Sequence, residues 1–547
     1  MKTKNRRADG NNKLPFLYPA LAAWILIIPW LLSLAAAGSA FAQSANTSLA
    51  LPLGRDSLTE SRTQTTLAPG VTLTTITRGT ASKDEHWTLS ILIPGSGPSG
   101  SMLASREQAQ QVVAKLAESG LKPEIHEERN PEYIDLPAGT LGYSVRVGAY
   151  ATRDDAKADM SALSGLGYKT MLLFTGEDDA PTNGPWVIRV LTIDPHAFHG
   201  EIMATHGASI AGRNTVSVLA QKSGALAAVN GGFFAMLPAE GVPGEPAGLF
   251  IDHGKVLSEA TNGRITMDIF NRNTPDSDTF IRFQELTTTM SLTVDKDLVH
   301  PVDGINRKPG VIRNCGGKGD TPTDLPLHDV TCTDSDEIVI ITPEFGAAAP
   351  SGEGIEAVVD KTGAVSELRK REGGAVPSEG LLVQGIGSDA GWLTSHVRAG
   401  SKLRFDVNVT DTQGKPVKFD SNDFAVNGGP GLIVNGKPII RPVADGLIHP
   451  DDPSFFLRWG VRRNPRTMAG VDNQNRILLV TVDGHQPGYS LGLTLIEESQ
   501  LMTGLGAVNA MNLDGGGSTA MVINGKLISS PSDPTGERAV GDAIILK

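Results

Sequence analysis

Three short runs constrain this chain more than anything else in it. Met511-Asn512-Leu513-Asp514-Gly515-Gly516-Gly517-Ser518 sets one carboxylate and three glycines behind an apolar approach. Val229-Asn230-Gly231-Gly232-Phe233-Phe234 and Val426-Asn427-Gly428-Gly429-Pro430 repeat the scheme. Each is followed by an apolar stretch and a Gly-Lys, at Gly254-Lys255, Gly436-Lys437 and Gly525-Lys526. Consecutive glycines cost folding entropy and stay where a turn needs positive φ or where main chain must be approached closely. The pattern predicts strand, tight loop and strand three times over, with the loops converging on one cavity. Three ordinary β-turns are the plainer alternative.

The start of the chain reads as an export signal. Lys2, Lys4, Arg6, Arg7 and Lys13 precede an apolar run from Leu21 to Ala37, and Ala40-Phe41-Ala42 supplies a small-x-small cleavage pattern. Cleavage after Ala42 is expected; an uncleaved membrane anchor is the alternative, since the run nearly reaches spanning length. Removal of 1–42 moves the formal charge from -12 to about -16. So acidic a chain is poorly suited to neutralising phosphates, which argues against a nucleic-acid partner. Cys315 and Cys332 are the two cysteines. In an oxidising compartment they are expected to pair as a structural disulfide pinning a surface loop.

At 547 residues the chain is long enough for two or three domains, and its 62 glycines and 34 prolines favour a turn-rich, β-rich architecture. Residues 43–84 read as a linker or irregular lead-in. From 85 to 176 the pattern predicts strand, helix, strand, strand, helix, strand, a ferredoxin-like βαββαβ module. Residues 177–185, Asp- and Pro-containing, read as a second linker. From 186 to 547 the pattern is mixed α/β and sheet-rich, so the chain as a whole is expected to be α+β.

Two family resemblances follow from the motifs. Tyr143-Ser144-Val145-Arg146-Val147-Gly148-Ala149-Tyr150, followed by Asp154, Ala156 and Gly167-Tyr168, resembles the second half of a SPOR domain. That resemblance implies a module that binds peptidoglycan glycan strands lacking stem peptides. The three glycine runs, Asn464-Pro465-Arg466-Thr467, Val482-Asp483-Gly484, Gly492-Leu493-Thr494-Leu495 with Glu497, and Pro531-Ser532-Asp533 with Glu537-Arg538, taken in their order along the chain, resemble the phosphodiester glycosidase family. It implies removal of a sugar from a phosphodiester.

Cleaving a sugar-1-phosphodiester at its anomeric carbon develops positive charge on the ring and negative charge on a good leaving group. A carboxylate must activate water or attack, while strong acid assistance matters less. Asp514, Asp483 and Glu497 are the candidate catalytic residues. For the phosphate, Arg466 leads and Arg538 is second, because a guanidinium can pair two oxygens. Main-chain amides of Gly515-Gly516-Gly517 and Gly231-Gly232 could form an anion nest, with Gly428 and Ser518 in the same loops. Asn230, Asn427 and Asn512 could orient sugar hydroxyls. His485 and His449 are further proton-transfer candidates, and Phe233 and Phe234 read as core. No spacing matches a metal loop, and no cofactor is expected.

The expectation is therefore an exported cell-envelope hydrolase. Its partners are peptidoglycan strands and a carbohydrate or sugar-phosphate substrate, with membrane contact only through an uncleaved anchor. A glycosidase acting on a non-phosphorylated envelope glycan and a non-enzymatic peptidoglycan-binding scaffold remain as alternatives.

Overall fold

A computed structural model describes residues 50–95, 100–272, 278–449 and 452–547. The segment 1–42, expected as an export signal, lies outside the described residues. Among those described, no helix is long and apolar enough to cross a membrane.

Strands dominate, as the glycine and proline content requires. Eight of them form the largest sheet, which runs from Glu60–Ala68 through Val71–Arg78, Trp186–Ile193, Ile477–Val482, Arg466–Asp472 and Ala507–Asn512 to Gly431–Val434 and Lys437–Pro438. A five-stranded sheet carries Ala227–Asn230 beside Met521–Ile523 and Ala543–Leu546. A third sheet places Asp423–Asn427 between Phe250–Asp252 and Ile265–Phe270. Central strands such as Ile477–Val482 and Ile265–Phe270 are buried along their whole length. They therefore read as continuous apolar runs instead of alternating ones. One core, including Val229, Phe250, Val426, Leu479, Met511 and Ile544, joins the three sheets.

The segment expected as an irregular lead-in is instead part of the main sheet. Glu60–Ala68 and Val71–Arg78 form an antiparallel pair, and Val71–Arg78 then pairs with Trp186–Ile193 over its full length. The edge strand is mostly exposed and rich in Thr, so no apolar alternation announces it. Its β-branched residues suit a pleated surface without burial.

The region between these strands matches its expected elements closely. Trp87–Leu92, Arg106–Ala117, Pro123–Asn130, Gly139–Tyr150, Lys157–Gly165 and Lys169–Phe174 alternate as strand, helix, strand, strand, helix, strand. The sheet is antiparallel with Gly139–Tyr150 and Trp87–Leu92 at its centre. A capping box at Ser105 and Gln108 starts the first helix, and Leu89, Ile91, Leu116, Val145 and Leu163 fill a separate core. The module is thus inserted between two paired strands of the main sheet.

The expected linker at 177–185 is equally ordered. Glu177 and Thr182 are buried. Arg463 donates to the carbonyls of Gly176 and Ala180, and its backbone N–H to that of Glu177.

Candidate active site

Three strands from three different sheets end at one junction. Ala227–Asn230, Asp423–Asn427 and Ala507–Asn512 each run into their glycine loop there. The loops interlock through hydrogen bonds. Asn230 Nδ2 donates to the Asp514 carbonyl at 2.7 Å, and Asp514 N donates to the Gly231 carbonyl at 3.1 Å. Asn427 Oδ1 accepts from Phe233 N at 2.9 Å, and Asn512 Nδ2 donates to the Gly429 carbonyl at 2.8 Å.

These bonds correct the expectation for the three asparagines. Asn230, Asn427 and Asn512 are at most 2% exposed and hold main chain, so they are not placed to orient sugar hydroxyls. The paired glycines serve the same closure. A Cβ on Gly231 would sit 1.9 Å from Asp542 Oδ1, one on Gly232 2.6 Å from Asn427 Nδ2, and one on Gly428 2.4 Å from Met511 Cε. Of the five amides expected to form an anion nest, four are occupied within the protein. Gly231 and Gly232 N–H donate to Asp542, Gly515 N–H to Asp514 Oδ1, and Gly516 N–H to the Pro465 carbonyl.

Beside the junction lies a cavity of about 360 Å³. Asp514 and Gly515-Gly516-Gly517 form one wall, with Phe233, Phe234 and Trp459 as aromatic lining and Arg313, Arg466, Arg538 and His485 as basic lining. Asp514 is partly exposed to it. Burial pushes its carboxyl up to about 6, helped by Asp329, while Ser518, Arg538 and the Gly515 amide pull the other way. Behind it Asp542 is fully buried and pushed up to about 7, first by burial and then by Asp514. Asp514 is thus the predicted carboxylate that faces open space.

The cations differ in how much they can offer. Arg538 is gripped by Asp533 through two bonds of 2.7 and 2.8 Å, which aims the guanidinium. Gly517 makes room for this pair, since a Cβ there would lie 2.1 Å from Arg538 Nη2. Gly516 meets nothing within 4 Å and is required by its φ of +60° instead. Arg466 lines the cavity but is 1% exposed, with donors spent on the Leu493 and Trp459 carbonyls and its guanidinium over the Trp459 ring. Its neighbour Glu498 is raised to about 8 by burial despite that charge.

Two predicted catalytic carboxylates lie elsewhere. Asp483 is 1% exposed; it pairs with Arg189 at 2.7 Å and accepts from Tyr489 and the Ser530 amide. Glu497 caps its own helix through Thr494 and holds Arg463 at 2.6 Å. Neither lines the cavity, and every bond they make is internal. Ser518 is buried, and its hydroxyl acts on the Asp514 carboxyl rather than facing the cavity.

Other lining groups were not singled out from sequence. Arg313, His328, Asp329 and Trp459 have no motif around them. His328 and Asp329 sit within the loop closed by the Cys315–Cys332 disulfide, which is formed. That loop therefore contributes to the cavity wall and is more than a surface decoration. His328 packs on Phe233 and Trp459, and burial holds its ring well below the usual histidine range. Asp329 is half-exposed and pairs with Arg313.

Residues 353–547 match the family model for phosphodiester glycosidase, and 102–173 match that for the SPOR domain. N-acetylglucosamine-1-phosphodiester alpha-N-acetylglucosaminidase of Bos taurus is 43% identical over 68 residues, 12% of each chain. The chain thus spans about an eighth of that relative's length. A solved protein of Burkholderia pseudomallei K96243, named among exported proteins, is 32% identical with a TM-score of 0.82. That match covers 91% of this chain and 98% of the other. A hypothetical protein from Synechocystis shares the fold at 16% identity and a TM-score of 0.51, over 89% and 79% of the two chains.

Proposed function

We propose that this chain, which belongs to one family with the Burkholderia protein and carries a phosphodiester glycosidase domain and a SPOR domain, is an exported hydrolase of envelope glycans. Its substrate is a sugar whose anomeric carbon is linked to a phosphodiester. The βαββαβ module, read as ferredoxin-like, carries it to peptidoglycan strands.

The observation that supports this best is Asp514. It is a carboxyl near 6 at the edge of a cavity that three arginines, Arg313, Arg466 and Arg538, also line. Near neutral pH it is mostly ionised, as a general base must be. It takes a proton from water, the water oxygen bonds to the anomeric carbon, and the carbon–oxygen bond to phosphate breaks. The departing phosphomonoester keeps that electron pair next to Arg538. The proton on Asp514 then passes to solvent or to the released phosphate. Asp329 and Asp533 are the other carboxylates at the cavity, and Phe233, Phe234 and Trp459 offer apolar faces to a sugar ring.

Purified protein is incubated with synthetic glycosyl-1-phosphodiesters and, separately, with aryl glycosides. Release of sugar from the phosphodiester alone is expected. Turnover of aryl glycosides alone would overturn the phosphate reading, and turnover of neither would overturn the enzyme reading. For targeting, retention on peptidoglycan should rise after amidase treatment strips the stem peptides. Equal retention would count against recognition of denuded strands.

A further inference from the structure

The segment that closes the inserted module reaches the cavity. Glu177, three residues beyond the strand Lys169–Phe174, is buried, and its Oε1 lies 3.1 Å from His485 Nδ1. His485 lines the same cavity as Asp514. Its other ring nitrogen, Nε2, lies 3.2 Å from Asn464 Oδ1. The Asn464 amide nitrogen donates to the carbonyls of Arg458 and Arg462, which leaves Oδ1 as the atom that faces the ring. Both imidazole nitrogens therefore meet acceptor oxygens, and both contacts are satisfied only when each nitrogen carries a hydrogen.

The backbone at His485 supports a built arrangement. Its φ is +57°, a left-handed conformation that histidine adopts at some cost. Such a conformation persists where the surroundings over-determine it. Here they include Glu177, Asn464 and the following turn in which Gln486 pairs with Ser490.

Glu177 is itself clamped. Arg462 Nη2 approaches its Oε2 at 3.4 Å, and Arg463, fixed by Glu497, donates to Gly176 and Ala180 on either side. Asp178, the next residue, pairs with Arg146 on the central strand of the module.

We infer that Glu177 is a positioning residue for His485, so the segment that joins the inserted module to the main sheet completes the hydrolase site. Glu177 holds the Nδ1–H. Asn464 and His485 both line the cavity, so a phosphate oxygen can replace the Asn464 amide as acceptor of the Nε2–H. His485 then joins Arg538 in stabilising the leaving phosphomonoester. This inference rests on the function proposed above.

The test is a double-mutant cycle in the full chain, read as kcat on a glycosyl-1-phosphodiester. Glu177→Gln should lower kcat about tenfold in the parent but less than twofold in a His485→Gln background, because interacting residues are non-additive. An equal loss in both backgrounds would assign Glu177 a structural role alone and overturn the inference. Should Glu177→Gln fail to fold, Glu177→Asp, which keeps the charge and withdraws it, runs the same cycle. If the parent turns over no phosphodiester, the functional reading has failed, and the ring is then read directly. Nitrogen-15 spectra of histidine-labelled protein should show the His485 Nδ1 resonance altered by Glu177→Gln. An identical ring spectrum in the two proteins would overturn the positioning role by itself.

Discussion

Replacing Asp514 by Asn should destroy activity and stabilise the protein. The carboxyl moves from the ordinary 3.8 to about 6 on folding, chiefly because burial penalises its charge. The folded state therefore binds a proton more tightly than the unfolded chain. Stability falls as pH rises from 3.8 to 6, and the full cost is present above about 6. At about 1.36 kcal/mol per pH unit that cost is about 3 kcal/mol, taken as a ceiling. Asparagine keeps the acceptor for the Gly515 amide, now 2.8 Å from Asp514 Oδ1, and carries no charge. For the compact unit Leu49–Lys547, an unfolding entropy of about 2.1 cal/mol/K per residue turns 3 kcal/mol into a Tm increase of about 3 °C. Paired thermal melts of parent and Asp514→Asn at pH 7.5 and pH 3.5, with release of sugar measured alongside, make the assay. The gain should be present at the higher pH and vanish at the lower one. A variant that is no more stable at pH 7.5 would refute the burial argument, and one that retains turnover would refute the role of Asp514.

Other consequences are checked more simply. If ionised Asp514 is the base, kcat/KM should be level above pH 7 and fall about tenfold per unit below pH 6; a profile level down to pH 5 would point to another group. Asp483→Asn breaks a buried pair with Arg189 and should cost about 3–5 kcal/mol in denaturant unfolding, with kcat per folded molecule within about twofold of the parent. Exchanging Cys315 and Cys332 for serine removes a cross-link worth about 3 kcal/mol in the chain-entropy picture. Because His328 and Asp329 sit in that loop, kcat/KM should fall too; unchanged kinetics would exclude the loop from the site.

Much of the scaffold was legible in order along the chain. Helices and strands fall where the pattern puts them from Trp87–Leu92 to Lys169–Phe174, and the sheet-rich character expected beyond residue 186 is present. The Thr-rich strand Glu60–Ala68 escaped because an exposed edge strand needs hydrogen-bond partners but little apolar surface. The segment 177–185 escaped for a related reason. Its order comes from Arg462 and Arg463, nearly three hundred residues away, and an acidic Pro-containing stretch looks the same whether clamped or free.

The glycine runs show the division most clearly. By itself the sequence determined that three loops with bare main chain exist and that Asp514 stands in one of them, since only glycine meets the local demands of φ and close approach. The tertiary structure decided which carboxylate faces the cavity. Asp483, Glu497 and Asp514 carry the same functional group in similarly conspicuous motifs. What separates them is the partner each meets: Arg189 for Asp483, Arg463 for Glu497, and for Asp514 open space. Burial and pairing are properties of neighbours brought from distant positions, and no local pattern encodes them.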